Sequence, residues 1–173
     1  MGNKGEMMKA IILLLLLSMS SNLFALASVE SDCADQNHIK EAIKQVFKKY
    51  GDFAGYQKNH GYKIPKTLMD CLKGKLKNGR VKCRANTNPR CITGALGFAT
   101  AGSKNANICK RTEDVLSDCD QIDKRGSYAM LTMHEWTHAC GYIPESQPEN
   151  VEEAVMDWWN STHTGFSTNC AQR

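Results

Sequence analysis

The pattern of apolar positions predicts two helices in the first half of the chain. In the segment 37–50 apolar residues recur three and four positions apart, as one face of an amphipathic α-helix requires. These residues are Ile39, Ala42, Ile43, Val46 and Phe47. The segment IPKTLMDCLKGKLKNG, 64–79, predicts a shorter helix that is opened by Pro65 and closed near Gly74 or Gly79.

The middle of the chain lacks a helical period. CITGALGFATAG, 91–102, and ANIC, 106–109, are short apolar stretches separated by glycines, and they predict short extended segments. Helical patterns return over 127–140 and over roughly 147–159. Without internal repeats or low-complexity linkers, this order of elements predicts one small α+β domain that covers 28–173.

The first 27 residues predict a cleaved signal peptide. Lys4 and Lys9 precede an apolar run that ends in Ala25-Leu26-Ala27, which matches the small-x-small pattern of a cleavage site. Polar residues shorten the run to less than the roughly 20 residues that span a bilayer. We therefore expect a soluble mature chain that begins at Ser28 and has no membrane attachment.

All eight cysteines follow the predicted cleavage site. An even number of cysteines in an exported chain predicts up to four disulfides, and the sequence leaves their pairing open. Cys83 and Cys91 could close the polar loop CRANTNPRC between them. No C-x-x-C pair is present, which argues against a cysteine-ligated zinc ribbon. We expect an oxidising location, either secreted or periplasmic.

The formal net charge is +4, and basic residues concentrate between Lys40 and Arg90. A nucleic-acid-binding surface would be expected to interleave aromatic residues with these charges, and none lie between Lys73 and Arg90. We therefore expect a solvated basic face and no nucleic-acid partner.

The segment MLTMHEWTHACGY, 130–142, carries the strongest chemical signal. At about 100° per residue, one narrow apolar stripe is formed by Ala129, Met133, Trp136 and Cys140. His134, Glu135 and His138 fall on the opposite side. Two imidazoles one helical turn apart can share one zinc ion, and Glu135 can take a proton from a zinc-bound water. Gly141 is expected to end the helix.

These residues resemble the H-E-x-x-H signature of the zincin metallopeptidases. Pro144 stands where the metzincin branch has its third histidine. VEEAVMDWW, 151–159, is instead similar to the second motif of the gluzincins, of which thermolysin is the familiar member.

The resemblance implies an exported, monomeric zinc metalloendopeptidase that acts on a protein or peptide substrate. His134, His138 and Glu153 would bind Zn²⁺. Asp157 would hydrogen-bond the first histidine and fix its tautomer, and Glu135 would activate the zinc-bound water.

Other carboxylates stay open as the third ligand. Glu152, Glu149 or Asp157 could replace Glu153. An aspartate ligand would resemble the aspzincins, although their G-T-x-x-D pattern is missing after Gly141.

The remaining roles rest on family analogy. His163 and Tyr142 are candidates for stabilising the oxyanion, and Tyr128 is a further one. The segment 91–102 could be the edge strand along which an extended substrate lies. The alternative function is a non-catalytic, disulfide-rich secreted module that binds a partner through its basic surface, 40–90.

Overall fold

The computed structural model describes residues 26–164 and 170. This part of the chain contains seven helices and four strands. In chain order they are β1 Ser28–Val29, α1 Gln36–Lys48, α2 Tyr50–Asn59, α3 Lys66–Asn78, β2 Arg80–Arg84, α4 Pro89–Ile92, β3 Gly97–Ala99, β4 Asn105–Cys109, α5 Arg111–Val115, α6 Gln121–Ala139 and α7 Ser146–Thr162. The predicted mixture of helices and strands in one small domain is confirmed.

The four strands form one mixed sheet in the order β1-β2-β4-β3. β1, β2 and β4 run parallel, whereas β3 is antiparallel to β4, with Gly97 opposite Ile108 and Phe98 opposite Asn107. β3 is therefore an edge strand. The extended segment predicted at 106–109 is confirmed as β4, whereas only Gly97–Ala99 of the predicted segment 91–102 is a strand, because the short helix α4 continues to Ile92.

Helix α6 is the centre of the core. It packs against α7 and α1 on its helical side and against β3 and β4 on its sheet side. Trp136 on α6 is fully buried, as are Trp158 and Trp159 on α7. Truncating a buried tryptophan typically costs about 3 to 5 kcal/mol, so these side chains fix the position of α7 against α6.

Both ends of α6 are determined by local hydrogen bonds. The helix begins at Gln121 rather than at the predicted Ser127, because the Asp120 carboxylate accepts from the backbone N–H groups of the next turn at 2.8 Å. It ends as predicted just before Gly141, whose φ of 96° reverses the chain. The Gly141 N–H donates to the His138 carbonyl at 2.9 Å.

The eight cysteines form four disulfides within the described residues. The pairs are Cys33–Cys83, Cys71–Cys140, Cys91–Cys109 and Cys119–Cys170. The suggested Cys83–Cys91 bridge is wrong, because Cys83 lies on β2 and pairs with the segment before α1, while Cys91 on α4 reaches the adjacent strand β4. Each bridge closes a long stretch of chain and is expected to contribute about 3 to 4 kcal/mol.

The predicted signal peptide lies outside the described residues except for Leu26 and Ala27. Ala27 is buried, and its N–H donates to the Leu76 carbonyl at 2.9 Å, directly before β1. Within the described chain, no helix has the length and apolar character that crossing a bilayer requires.

Candidate functional site

A cleft of about 750 Å³ lies between the edge strand β3 and the C-terminal half of α6. This volume is typical of ligand-binding sites. Its apolar lining includes Leu96, Phe98, Leu131 and Ile143. Its ionisable side chains are Arg90, His134, Glu135, His138, Glu145 and Glu152. The two histidines of the H-E-x-x-H segment therefore face a concave surface.

Three potential metal ligands converge in this cleft. The Oε2 atom of Glu145 lies 3.4 Å from Nε2 of His134 and 3.4 Å from Nε2 of His138. One ligand atom from each of the three residues lies within 4.8 Å of the others, so the group could hold a metal ion. Both imidazoles are largely buried, whereas Glu145 is 62% exposed at the rim.

The other nitrogen of each imidazole is already used. Nδ1 of His134 donates to Oε2 of Glu152 at 2.7 Å, and Nδ1 of His138 donates to the carbonyl of Tyr142 at 3.0 Å. A proton on each Nδ1 leaves the Nε2 lone pair of each neutral ring free to bind a metal. The turn at Gly141 helps to orient the His138 ring, because it brings the Tyr142 carbonyl back to Nδ1 of His138.

The pKa of His134 reflects two opposing effects. Burial lowers it, but the hydrogen bond to Glu152 and the negative charges of Glu135, Glu152 and Glu145 outweigh burial and raise it above its usual value. The surrounding carboxylates thus favour positive charge at this position.

Glu135 is buried at the floor of the cleft, with 4% of its surface exposed. Its Oε2 atom has no hydrogen-bond partner among the described residues. Burial raises the pKa of this carboxyl to about 7, and the nearby Glu145 and Glu152 add to the rise while His134 opposes it. A carboxyl group with a pKa near neutrality can both accept and donate a proton under ordinary conditions.

We expect Glu135→Gln to stabilise the metal-free protein at high pH. The carboxyl of Glu135 has a higher pKa folded than unfolded, so its contribution to stability is present below about pH 4.5 and is lost as the pH rises through about 7. The difference in free energy of unfolding between the variant and the native protein should therefore grow, in favour of the variant, by roughly 2 to 3 kcal/mol between about pH 5 and about pH 8. Urea unfolding in the presence of a chelator measures this gain.

A gain that does not change with pH would contradict the raised pKa of Glu135. Glu149→Gln, which makes the same chemical change on the exposed start of α7, is the matched control.

Gly97 on β3 is packed directly against the Glu135 carboxyl. A Cβ atom at this position would lie 2.7 Å from Oε1 of Glu135 and 3.0 Å from the Asn107 carbonyl oxygen, closer than van der Waals contact allows. Only glycine leaves both the strand and the carboxyl where they are.

We therefore expect Gly97→Ala to displace the Glu135 carboxyl and to destabilise the fold by about 1 to 3 kcal/mol. Gly74→Ala is the matched control, because Gly74 is exposed inside α3 and has open space around it. That change should stabilise the protein by about 0.5 to 1 kcal/mol. Thermal unfolding of both variants measures these changes in stability. If Gly97→Ala were as stable as the native protein, the close packing of Gly97 against Glu135 would be contradicted.

Glu153 and Asp157 lie away from the two histidines. Glu153 is exposed on the far flank of α7 and lines a separate surface pocket that includes Lys63. Asp157 accepts a short hydrogen bond from the Tyr62 hydroxyl, and burial together with this hydrogen bond raises the pKa of Tyr62. The predicted hydrogen bond from Asp157 to His134 is therefore wrong. The rotation of α7 about its axis brings Glu152, and not Asp157, to this histidine.

The predicted oxyanion residues also have other contacts. His163 stacks on Trp159 at 4.3 Å and bonds the Gln45 side chain through Nε2 at 3.0 Å, and it does not line the cleft. The Tyr142 hydroxyl lies 3.3 Å from the Thr67 hydroxyl, so this residue reaches the site only through its backbone carbonyl.

Tyr128 is buried and donates to Asp35 at 2.7 Å. It is therefore part of the packing between α6 and the start of α1 rather than of the cleft.

Sequence reasoning missed Glu145 altogether and named Glu152 only as an alternative ligand. Glu145 stands one position beyond Pro144, directly before α7, and no periodic pattern marks it. Its position depends on the turn at Gly141, which folds the following residues back over the end of α6.

Comparison of the chain with protein-family models, with curated proteins and with solved structures finds no match.

Proposed function

We propose that this protein is a zinc-dependent metalloendopeptidase of zincin type whose metal site consists of His134, His138 and Glu145. The observation that carries the proposal is the convergence of two imidazole Nε2 atoms and one carboxylate oxygen, with both Nδ1 atoms hydrogen-bonded elsewhere.

The donor set and its spacing fit zinc. Zinc binds imidazole nitrogen and carboxylate oxygen at about 2.0 to 2.2 Å in a tetrahedral arrangement, so neighbouring ligand atoms lie about 3.4 Å apart. Glu145 Oε2 is 3.4 Å from each histidine Nε2. Three protein ligands leave a fourth position open, which is typical of catalytic rather than structural zinc sites.

Glu145 takes the ligand role that the sequence suggested for Glu153, and Glu152 takes the supporting role suggested for Asp157. A carboxylate on the far ring nitrogen orients a ligand histidine and increases its basicity. The 2.7 Å contact between Glu152 and His134 has this form.

Zinc would supply Lewis acidity, which polarises the substrate carbonyl and makes water a better nucleophile near neutral pH. Glu135 is the general base: its carboxylate takes a proton as water oxygen bonds to the peptide carbonyl carbon. As the C–N bond breaks, the same carboxyl returns the proton to the leaving nitrogen. Burial of Glu135 and its unpaired Oε2 suit both steps.

The edge strand supports a peptide as the substrate. β3 pairs with β4 in the antiparallel direction, and the Cys109 N–H donates to the Leu96 carbonyl. In such a pair the backbone N–H and C=O groups of alternate residues point to the neighbouring strand, so those of Leu96 and Phe98 face β4 and those of the residues between and after them face outward. The outward groups belong to Gly97 and Ala99, which both line the cleft. An extended chain could pair with the outward groups of Gly97 and with the Ala99 N–H, and could bring its carbonyl near Glu135.

We place the enzyme in a secreted or periplasmic location. Its four disulfides would persist in an oxidising compartment and would be reduced in most cytosols.

Hydrolysis of a quenched-fluorescent peptide library by the oxidised protein tests this function. We expect cleavage that stops on addition of a chelator and returns when zinc is restored. Cleavage that is indifferent to chelation would contradict the metal mechanism. Stoichiometric zinc without cleavage of any peptide would favour the non-catalytic binding module.

A further inference from the structure

Arg90 is the only permanently cationic side chain among the described residues that line the cleft. No carboxylate in the described part of the chain pairs with it, although Glu135, Glu145 and Glu152 lie in the same cleft. A permanent positive charge without a protein counter-ion, at the wall of a substrate cleft, is positioned to recognise an anionic group of a ligand.

The backbone of Arg90 is held in place from both sides. Its N–H donates to the side chain of Asn88, which caps the short helix α4, at 3.0 Å. The next residue, Cys91, is fully buried and bridged to Cys109 on β4. The disulfide therefore ties Arg90 to the same sheet that forms the cleft wall.

The guanidinium group is oriented as well. It lies 5.3 Å from the centre of the Phe98 ring, and its Nη1 atom donates to the Ala99 carbonyl at 3.3 Å. Nε and Nη2 donate to no other described residue, so N–H groups remain free for a ligand. The planar arrangement of these donors matches the two oxygens of a carboxylate.

The point at which Arg90 contacts β3 defines which part of a substrate it would meet. Gly97 contacts the Glu135 carboxyl, and Ala99, two residues further on, accepts from Arg90. Two residues of strand span about 6.6 Å, which is also the repeat of an extended peptide lying alongside.

We propose that Arg90 selects peptides carrying a carboxylate about two residues from the bond that is cleaved. This inference rests on the proposed peptidase function and names its substrate class. The carboxylate can come from an acidic side chain or from the C-terminus of a short peptide, since both present the same two oxygens.

Matched peptides separate the carboxylate from every other feature. In the first set a single Glu or Gln is moved through each position of a neutral, C-terminally amidated peptide. In the second set neutral peptides end either in a free carboxylate or in an amide. The proteins compared are the native enzyme, Arg90→Gln, Arg90→Lys and the control Arg80→Gln, which changes an exposed arginine outside the cleft.

We expect one Glu position, or the free C-terminus, to raise kcat/KM by about 10- to 100-fold over its neutral match. Arg90→Gln should abolish this preference, Arg90→Lys should keep only part of it, and Arg80→Gln should keep all of it. The inference is overturned if the native enzyme shows no such preference, or if Arg90→Gln retains it.

Binding of the same peptides, labelled for fluorescence anisotropy, to Glu135→Gln protein gives a readout that does not need turnover. Tighter binding of the carboxylate peptide, lost when Arg90→Gln is added, supports the role of Arg90 even if no peptide is hydrolysed. If the native enzyme hydrolyses peptides but shows no carboxylate preference in either assay, the proposed peptidase function stands and the proposed role of Arg90 is rejected.

Discussion

A Glu135→Gln variant is expected to keep its zinc and to lose about 10²- to 10⁴-fold in kcat. Glutamine preserves the size of the side chain and its packing against Gly97, but it cannot accept a proton from the attacking water. Since Glu135 is not one of the three converging ligands, metal content should be unaffected. The measurement pairs steady-state hydrolysis with zinc content from elemental mass spectrometry.

Glu149→Gln is the control for this experiment because it makes the same chemical change at an exposed residue outside the cleft. It should leave both zinc content and kcat unchanged. Native-like turnover in Glu135→Gln would reject Glu135 as the general base.

The second large effect concerns the metal itself. His138→Ala and Glu145→Ala each remove one of the three side chains of the proposed zinc site, and we expect each to weaken zinc binding by roughly 100-fold or more. Glu152→Gln should weaken it by about 10- to 100-fold, because it removes a hydrogen bond to a ligand rather than a ligand. Competitive titration against a chelating dye measures these affinities.

Glu153→Ala is the matched control, since Glu153 lies on the same helix as Glu152 but faces a different pocket. We expect no loss of zinc in this variant. If Glu153→Ala lost zinc while Glu145→Ala bound it fully, Glu153 would be the third ligand, as the gluzincin resemblance implies.

The local patterns of the sequence predicted the elements that carry a regular apolar stripe. The helix predicted over 37–50 is present as α1, with Ile39, Ile43 and Val46 buried. The phase of the helix around His134 and His138 was also predicted, because the 3.6-residue period alone places both on the side away from the buried Met133 and Trp136.

Among the elements that the sequence patterns did not predict, α2 and β2 were missed for identifiable reasons. α2 contains Gly51 and Gly55 and buries little more than Tyr50 and Phe53, so its apolar stripe is weak. β2 was interpreted only as part of a basic run, although it alternates charged residues with the buried Val81 and Cys83.

The third member of the proposed metal site could not be identified from local patterns. Glu152 and Glu153 are adjacent on α7 and flank the same apolar stripe, so a small rotation of this helix decides which of them faces His134. Glu145 reaches the histidines only through the turn at Gly141. Both features depend on tertiary packing between α6 and α7.

Diffraction data collected on either side of the zinc absorption edge, from zinc-loaded crystals of the native protein, would test the metal site most directly. We predict one anomalous difference peak that lies about 2.0 to 2.2 Å from Nε2 of His134, from Nε2 of His138 and from a carboxylate oxygen of Glu145. A peak that involves Glu153 instead, or no peak between the two histidines, would contradict the site proposed here.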